Sequence, residues 1–222
     1  MAARRDSQPL VKRAIDRALE KRTASATEDV ERIIEATYRV IATSDTVDPG
    51  MREILREAGL STQAFYRHFK SKDELLLVVL DDGRIRLAEY LRHRMDKVPP
   101  GLPRLRAWIE GMFAQASDPV ASARTRPFIV NIYRLMDQYP DEHKRSINAL
   151  VELVDGALAE AFATQQIIRK PTPADATSIY HLTVSPMETH IALSTKPTRA
   201  EVAAVVDFAT RALVGGGTSA AR

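Results

Sequence analysis

Residues 58–76 read AGLSTQAFYRHFKSKDELL, a stretch in which one helix stop is followed by two helix starts. Gly59 is the residue type that most readily ends a helix, while Ser61 and Ser71 are N-capping residues placed before helical patterns. The stretch therefore predicts a short helix over 62–69 and a long helix that starts after Ser71.

Working upstream, the sequence predicts two further helices. Asp48 followed by Pro49 indicates a helix over 49–58, because proline favours the first helical position. Thr27 is an N-cap candidate for a helix that ends near residue 43, and its first turn is acidic. The apolar face of that helix consists of Val30, Ile33, Ile34, Thr37, Tyr38 and Ile41.

Downstream, helical periodicity continues between proline and glycine breaks, so the predicted fold class is all-α. Predicted helices cover 72–97, 104–117, 121–139 (with a break or restart at Pro127), 141–167, 174–194 and 198–214. On one face of helix 141–167 the pattern places Ile147, Leu150, Val151, Val154, Leu158 and Phe162. The predicted domains are a basic extension (1–26), a three-helix helix-turn-helix domain (27–71), a larger helical domain (72–214) and a flexible tail (215–222).

The composition excludes several classes of protein. The chain has 222 residues and no cysteine, so thiolate metal sites, disulfides and cysteine nucleophiles are absent. Its longest apolar run, 75–80, is far shorter than the roughly 20 residues of a membrane span. We expect a cytoplasmic protein without a membrane partner. No nucleotide-binding, hydrolase or metalloprotease motif is present, and the histidine spacing is wrong for a metal site. Neither a catalytic residue nor a cofactor nor a metal is therefore predicted.

Positive charge is concentrated in two places, although the formal net charge is only +3. Residues 1–26 carry a net +4 and form either an extra amphipathic helix, a basic arm that orders on DNA, or a disordered tail. Residues 58–72 contain three Lys/Arg, one histidine and no acid. Such an acid-free segment suits an anionic partner.

The second short helix has the side chains that a DNA-reading helix requires. Phe65 and Phe69 are four residues apart and can hold the helix to its domain, which leaves the other faces free. Those faces carry Thr62, Gln63, Tyr66 and Arg67. Gln can read an adenine edge, Thr a base or a thymine methyl, and Arg a guanine or a phosphate. Lys72 adds a cation at the start of the next helix.

The same stretch resembles the DNA-binding domain of the TetR family of bacterial transcriptional regulators. The matching residues are Ile54, Ala58-Gly59-Leu60-Ser61, Tyr66-Arg67-His68-Phe69 and Lys72-Asp73-Glu74-Leu75, and the resemblance covers about residues 27–80. It implies that bases are read by Thr62, Gln63 and Ala64, and that the DNA backbone is contacted by Tyr66, His68 and Lys72. The full predicted double-stranded DNA set is Arg52, Ser61, Thr62, Gln63, Ala64, Tyr66, Arg67, His68 and Lys72.

The sequence departs from the family pattern at the first short helix. Asp48-Pro49-Gly50 replaces the usual hydroxyl cap, and Leu55 stands where a small alanine is common. With the net charge of −2 over 27–94, this keeps a rival hypothesis open, namely a helical ligand-binding or protein-interaction module that does not contact DNA.

The resemblance also implies a homodimer that a small, largely apolar effector releases from a near-palindromic operator, most simply as a repressor. The candidate effector pocket consists of Trp108, Met112, Phe113, Phe128, Ile132, Tyr133, Met136, Met187 and His190. Met and aromatic residues at helical spacing are more often plain core. The candidate dimer interface is a four-helix contact of Ile179, Leu182, Met187, Ile191, Val202, Val205, Val206, Ala209 and Leu213.

Overall fold

The computed structural model describes residues 10–43 and 48–214, and over these residues its regular elements are nine α-helices without a strand. This confirms the predicted all-α fold. The chain divides into two compact units, and the division falls between Leu75 and Leu76. None of the described helices is long and apolar enough to cross a bilayer. The predicted tail at 215–222 lies outside the described residues.

The first unit contains three helices and the beginning of a fourth. They are α1 (Leu10–Thr43), α2 (Met51–Ala58), α3 (Thr62–Tyr66) and the first turn of α4 (Lys72–Met95). The C-terminal half of α1 buries Ile33, Thr37 and Ile41, as its periodicity predicts, and it packs against α2. Ile54 of α2 and Phe65 of α3 are fully buried in the same unit.

Helix α1 is longer than predicted. Thr27 does not start it but lies inside it, where its hydroxyl donates a hydrogen bond of 3.0 Å to the Thr23 carbonyl. The physical reason is that residues 10–43 contain neither proline nor glycine, so nothing stops the helix upstream of Thr27. The domain boundary predicted at 26/27 therefore falls in the middle of one helix. Residues 10–26 are helical as the upstream part of α1 and do not form a separate helix.

Both short helices differ from prediction at one end. Helix α2 begins at Met51 rather than Pro49, because the extended Gly50 is the N-cap and its carbonyl accepts from Glu53 and Ile54. It ends at Gly59, whose φ of 64° is the left-handed conformation expected of a glycine stop. Helix α3 ends at Tyr66 rather than residue 69, because the next amides turn back to Ala64 and Phe65 in a tighter turn.

The second unit is a helical bundle built around α5. Its members are the remainder of α4, then α5 (Leu102–Ser117), α6 (Pro119–Gln138), α7 (Pro140–Ala163), α8 (Pro173–Ala192) and α9 (Arg199–Val214). Helix α5 contacts α6, α7, α8 and α9, so its apolar residues occupy the centre of the unit. Trp108 and Ile109 are fully buried there, as is Leu158 of α7.

Three predictions about the helices of the second unit were wrong. Pro127 does not break α6, because it is buried beside Phe128 and this packing offsets the missing backbone hydrogen bond. Helix α7 ends at Ala163 rather than residue 167, since Gln165 has a φ of 57° and leaves the helical path. Phe162, predicted on the core face, is exposed, whereas Ile167 beyond the helix is buried.

Candidate nucleic-acid interface

Helix α3 is held by its cap and by two phenylalanines. The Ser61 hydroxyl accepts a hydrogen bond of 3.1 Å from the Ala64 amide, which confirms the predicted cap. The rings of Phe65 and Phe69 stack with centroids 5.3 Å apart, and both are buried. A helix of only five residues would not persist alone, so this packing fixes its orientation within the unit.

The opposite side of α3 presents the predicted reading groups to solvent. Thr62, Gln63 and Arg67 are exposed, and Tyr66 is 63% exposed although its ring meets Phe65 edge to face. These exposed side chains offer a phenol, an amide, a hydroxyl and a guanidinium as hydrogen-bond donors, and none of them is a carboxylate. This combination matches the acceptors of a DNA groove and backbone.

Ala64 does not belong to that exposed surface. Its exposure is 4%, and it lies on the face of α3 that also buries Phe65. A methyl group packed inside the unit cannot reach a base, so the prediction that Ala64 contacts DNA was wrong. Helical spacing separates it from Gln63 by about 100°, which places neighbouring residues on different faces.

Asp29 of α1 contributes a contact that the sequence did not indicate. Its Oδ2 lies 3.4 Å from His68 Nε2 and 3.8 Å from Arg67 Nη2. The His68 side chain is only 13% exposed, so the histidine primarily joins the turn after α3 to α1 rather than facing solvent. Arg67 remains largely exposed and available for an anion. Asp29 thus orients the end of the reading helix from across the unit.

Arg32, also missed from the sequence, caps α2 from outside. Its Nη2 donates to the Ala58 carbonyl at 2.6 Å and lies 3.3 Å from the Gly59 carbonyl. Helix carbonyls near a C-terminus lack partners within their own helix, and a cation there also complements the helix dipole. The turn between α2 and α3 is therefore fixed by both Gly59 and Arg32. Only the glycine was visible as a local sequence signal.

The remaining DNA-binding candidates lie on the neighbouring helices. Arg52 is exposed on α2. Lys72 is half-buried in the first turn of α4, where the Ser71 hydroxyl accepts from the Glu74 amide at 3.1 Å as predicted. Ser61 is exposed, but its hydroxyl is engaged in the α3 cap.

The predicted effector residues are found mainly in the core of the second unit. Trp108, Met112, Phe113 and Met187 belong to one buried cluster, and Phe128 and Ile132 are also buried. Met136 is exposed and does not belong to this buried cluster. His190 is half-buried and pairs with Thr195 and Glu201. The side chain of Tyr133 lies outside the described residues. A cavity of about 170 Å³ is lined instead by Arg92, Arg104, Glu152, Glu160 and their neighbours.

The predicted dimer residues are mostly inside the protomer. Ile179, Met187, Ile191, Val206, Ala209 and Leu213 are buried within the single chain. They therefore pack their own unit together and are not presented to a partner, which corrects the prediction for these six. The pattern on α8 and α9 located an apolar face correctly but could not tell which neighbour covers it. Leu182, Val202 and Val205 are only partly buried and remain accessible.

A helix-turn-helix unit with an acid-free reading face, attached to a separate helical bundle, defines a helix-turn-helix DNA-binding protein. Residues 33–79 match the sequence model described as "Bacterial regulatory proteins, tetR family". The N-terminal part of the chain is thus a TetR-family DNA-binding domain, and the resemblance seen in the sequence is confirmed.

Solved structures extend the similarity of fold to most of the chain. The fatty acid degradation regulator FadR from Bacillus halodurans matches with a TM-score of 0.63 and 17% identity, over 85% of this chain and 95% of that one. FadR from Bacillus subtilis in complex with stearoyl-CoA matches with a TM-score of 0.61 and 17% identity, over 85% of this chain and 99% of that one. RolR in complex with resorcinol matches with a TM-score of 0.63 and 13% identity, over 86% of this chain and 90% of that one. These likenesses concern the fold of most of the chain, while the family match itself covers residues 33–79.

Proposed function

We propose that this protein is a homodimeric repressor that binds a near-palindromic operator and is released by a small molecule bound in its second unit. The proposal includes double-stranded DNA as partner, action in the cytoplasm where that DNA lies, and no catalytic role. Thr62 and Gln63 are the reading residues, while Arg52, Tyr66, Arg67 and Lys72 contact the DNA backbone.

The observation that carries the proposal is the two-sided character of α3. One side buries Ala64 and Phe65, while the other exposes Thr62, Gln63 and Tyr66. The exposed phenol of Tyr66 lies beside an exposed hydroxyl and an exposed amide, a combination suited to a polar partner surface. Residues 58–72 contain no acid, so the partner that this side of α3 contacts is expected to be anionic, as the DNA backbone is.

Dimerisation is proposed through the outer faces of α8 and α9 rather than through their buried faces. Phe208 of α9 is 58% exposed, and the exposed Ala204 and Ala212 lie one turn to either side. Small residues around one large aromatic allow two helices to approach closely. A two-fold contact there would give two reading helices, which a palindromic operator requires.

We propose control by a ligand because proteins of similar fold have been solved with small molecules bound. FadR is seen with stearoyl-CoA and RolR with resorcinol, and their folds cover most of this chain. A ligand releases DNA only if it binds the DNA-incompetent state more tightly, and a coupling of about 1–3 kcal/mol is typical. Helix α4 begins in the first unit and continues in the second, so it is the covalent route for that coupling.

The test is selection of random duplexes by the purified full-length protein at low ionic strength. We expect an enriched motif with two related half-sites, and a gel shift with a fragment from upstream of the gene. A protein that binds duplexes without enrichment, or not at all, supports the rival helical module without sequence-specific DNA binding.

A further inference from the structure

Arg84 of α4 is a buried cation in the interior of the second unit. Only 9% of the residue is exposed. Its Nη1 donates a hydrogen bond to the Ser146 hydroxyl and lies 3.4 Å from Nδ1 of His143, both on α7. Both partners are neutral groups, since the pKa of His143 is lowered to about 4 by burial first and by Arg84 second. Ser146 in turn donates to the His143 carbonyl at 3.0 Å.

The positive charge of Arg84 is not neutralised by a direct ion pair with any described residue. Glu188 and Asp81 act on it electrostatically, but neither carboxylate forms a salt bridge with it. Burial lowers the pKa of Arg84 and raises the pKa of Glu188, so both charges are costly where they stand. A buried guanidinium without a carboxylate at hydrogen-bond distance is an unusual arrangement, because charged groups inside proteins are normally paired.

Tyr180 and Trp108 belong to the same unit as this cation, and the indole of Trp108 lacks an acceptor within the part of the chain that the structure describes. Tyr180 of α8 interacts electrostatically with Arg84, and its ring contacts the Trp108 ring, with centroids 6.5 Å apart. Trp108 is fully buried, and its indole N–H has no hydrogen-bond partner among the described residues. Buried polar groups are satisfied in most native proteins, so an unsatisfied donor and a buried cation that both interact with Tyr180 call for an acceptor that the described residues do not supply.

We propose that Arg84 is the anion-binding residue of the effector site, and that the effector is a small apolar molecule with a single carboxylate. The proposal rests on the proposed function and adds the chemical class of the ligand. A carboxylate oxygen accepts from the guanidinium in the geometry that arginine favours, while the apolar body of the effector packs against the buried apolar cluster of the second unit.

A carboxylate fits this environment better than a phosphate. One guanidinium with neutral partners balances one negative charge, whereas a phosphate dianion would need additional cations. The polar groups that contact or act on Arg84 are His143, Ser146, Tyr180, Asp81 and Glu188, and the two carboxylates would repel a second negative charge. The matched test therefore compares the binding affinity of a carboxylic acid with that of the neutral amide of the same acid.

The experiment uses the single tryptophan, Trp108, as an internal reporter on the full-length protein. Its fluorescence is titrated with octanoate and phenylacetate, and in parallel with octanamide and phenylacetamide. We expect at least one acid to bind about 10- to 100-fold more tightly than its amide, as loss of a hydrogen bond to a charged group implies. In Arg84→Met this difference should vanish.

The control variant is Arg86→Met. Arg86 lies two residues along the same helix, is exposed and pairs with Asp82 at 2.8 Å, so it should leave acid binding unchanged. Ser146→Ala serves as a second variant that keeps the charge and removes one of its holding contacts. It should weaken acid binding several-fold without affecting the amide.

The proposal is overturned if neither acid binds more tightly than its amide, or if the preference for the acid persists in Arg84→Met. DNA binding is measured separately by anisotropy without any ligand. A selected motif that is bound normally while the acids show no preference refutes only the carboxylate effector. If the protein binds no motif specifically, the proposed function is refuted, whatever the acid titration shows.

Discussion

At the scale of single residues, His143 gives folding stability a predictable dependence on pH. Its pKa is lowered to about 4 by burial and by Arg84, so between about pH 6.5 and 4 only the unfolded chain takes up its proton. Stability from this group is therefore complete above pH 6.5 and falls as the pH decreases. Because the ring is about half exposed, solvent screens part of this effect. We therefore expect the unfolding free energy to fall by about 1–2 kcal/mol, which is less than the whole pKa shift would imply.

The measurement for His143 is urea unfolding between pH 8 and 4.5, with His143→Gln as the variant. Glutamine cannot be protonated in this range, so its stability should fall less over that interval than the parent's. The two pH profiles must run parallel between pH 7 and 8, which is the internal control. Parallel profiles over the whole range would mean that His143 titrates normally in the folded protein.

Gln63 is predicted to read one base pair in each half-site. It is exposed on α3 next to Tyr66, and a bidentate amide contact to adenine discriminates by about 1–3 kcal/mol. Gln63→Ala should therefore relax the selected motif at one symmetric position while leaving the others unchanged. Gln138→Ala, at an exposed glutamine of the second unit, is the matched control. Identical motifs for Gln63→Ala and the parent would remove Gln63 from the reading set.

At the scale of elements, the stop of α2 depends on Gly59. Its φ of 64° disfavours any side chain, and an added Cβ would lie 3.1 Å from Arg32 Nη2. Gly59→Ala should cost about 1–2 kcal/mol of unfolding free energy and weaken DNA binding, because α3 follows directly. Gly156→Ala is the control, since it lies inside α7 with open space around its Cβ position. The free energy of unfolding of Gly156→Ala, measured by thermal denaturation, should rise by up to about 1 kcal/mol. Equal effects of both substitutions would contradict the assigned role of Gly59.

Helix α1 shows where local sequence signals are insufficient. Thr27 followed by three acidic residues within four positions has the composition of a helix start, yet the helix runs through it. The upstream residues Leu10, Val11, Ile15 and Leu19 are exposed, so burial of these four side chains does not stabilise that part. Its helicity is local in origin, from residues that are good helix formers without a break. A favourable cap marks a site where a helix can start, and it does not prevent one from continuing.

At the scale of the whole molecule, the sequence predicted what is encoded locally. The helices, the caps at Ser61 and Ser71, and the buried positions of Phe65 and Phe69 follow from neighbouring residues. The contacts of Asp29 with His68 and of Arg32 with Ala58 join residues 39 and 26 positions apart. No pattern within a single helix indicates them. The same limit explains the six dimer candidates, since an apolar face does not reveal whether its own chain or a partner covers it.

The oligomeric state is tested at Phe208, the largest exposed apolar residue in the middle of α9. Phe208→Arg places a charge where two copies of the chain are proposed to meet, so we expect a monomer in analytical ultracentrifugation. Because Phe208 is exposed, stability of the protomer should change little. Phe162→Arg, an exposed phenylalanine on α7, is the matched control and should remain a dimer.

The dimer also determines how tightly a palindromic operator is bound. When two reading helices are linked, the second half-site is engaged at a high effective concentration, and avidity rises by about 10²- to 10⁴-fold. Phe208→Arg should therefore lose about 10²-fold or more in affinity for a duplex with two half-sites, yet bind a single half-site as the parent does. A monomeric variant with undiminished affinity for the full operator would show that the reading helices act independently. A variant that stays dimeric would instead place the interface elsewhere on the second unit.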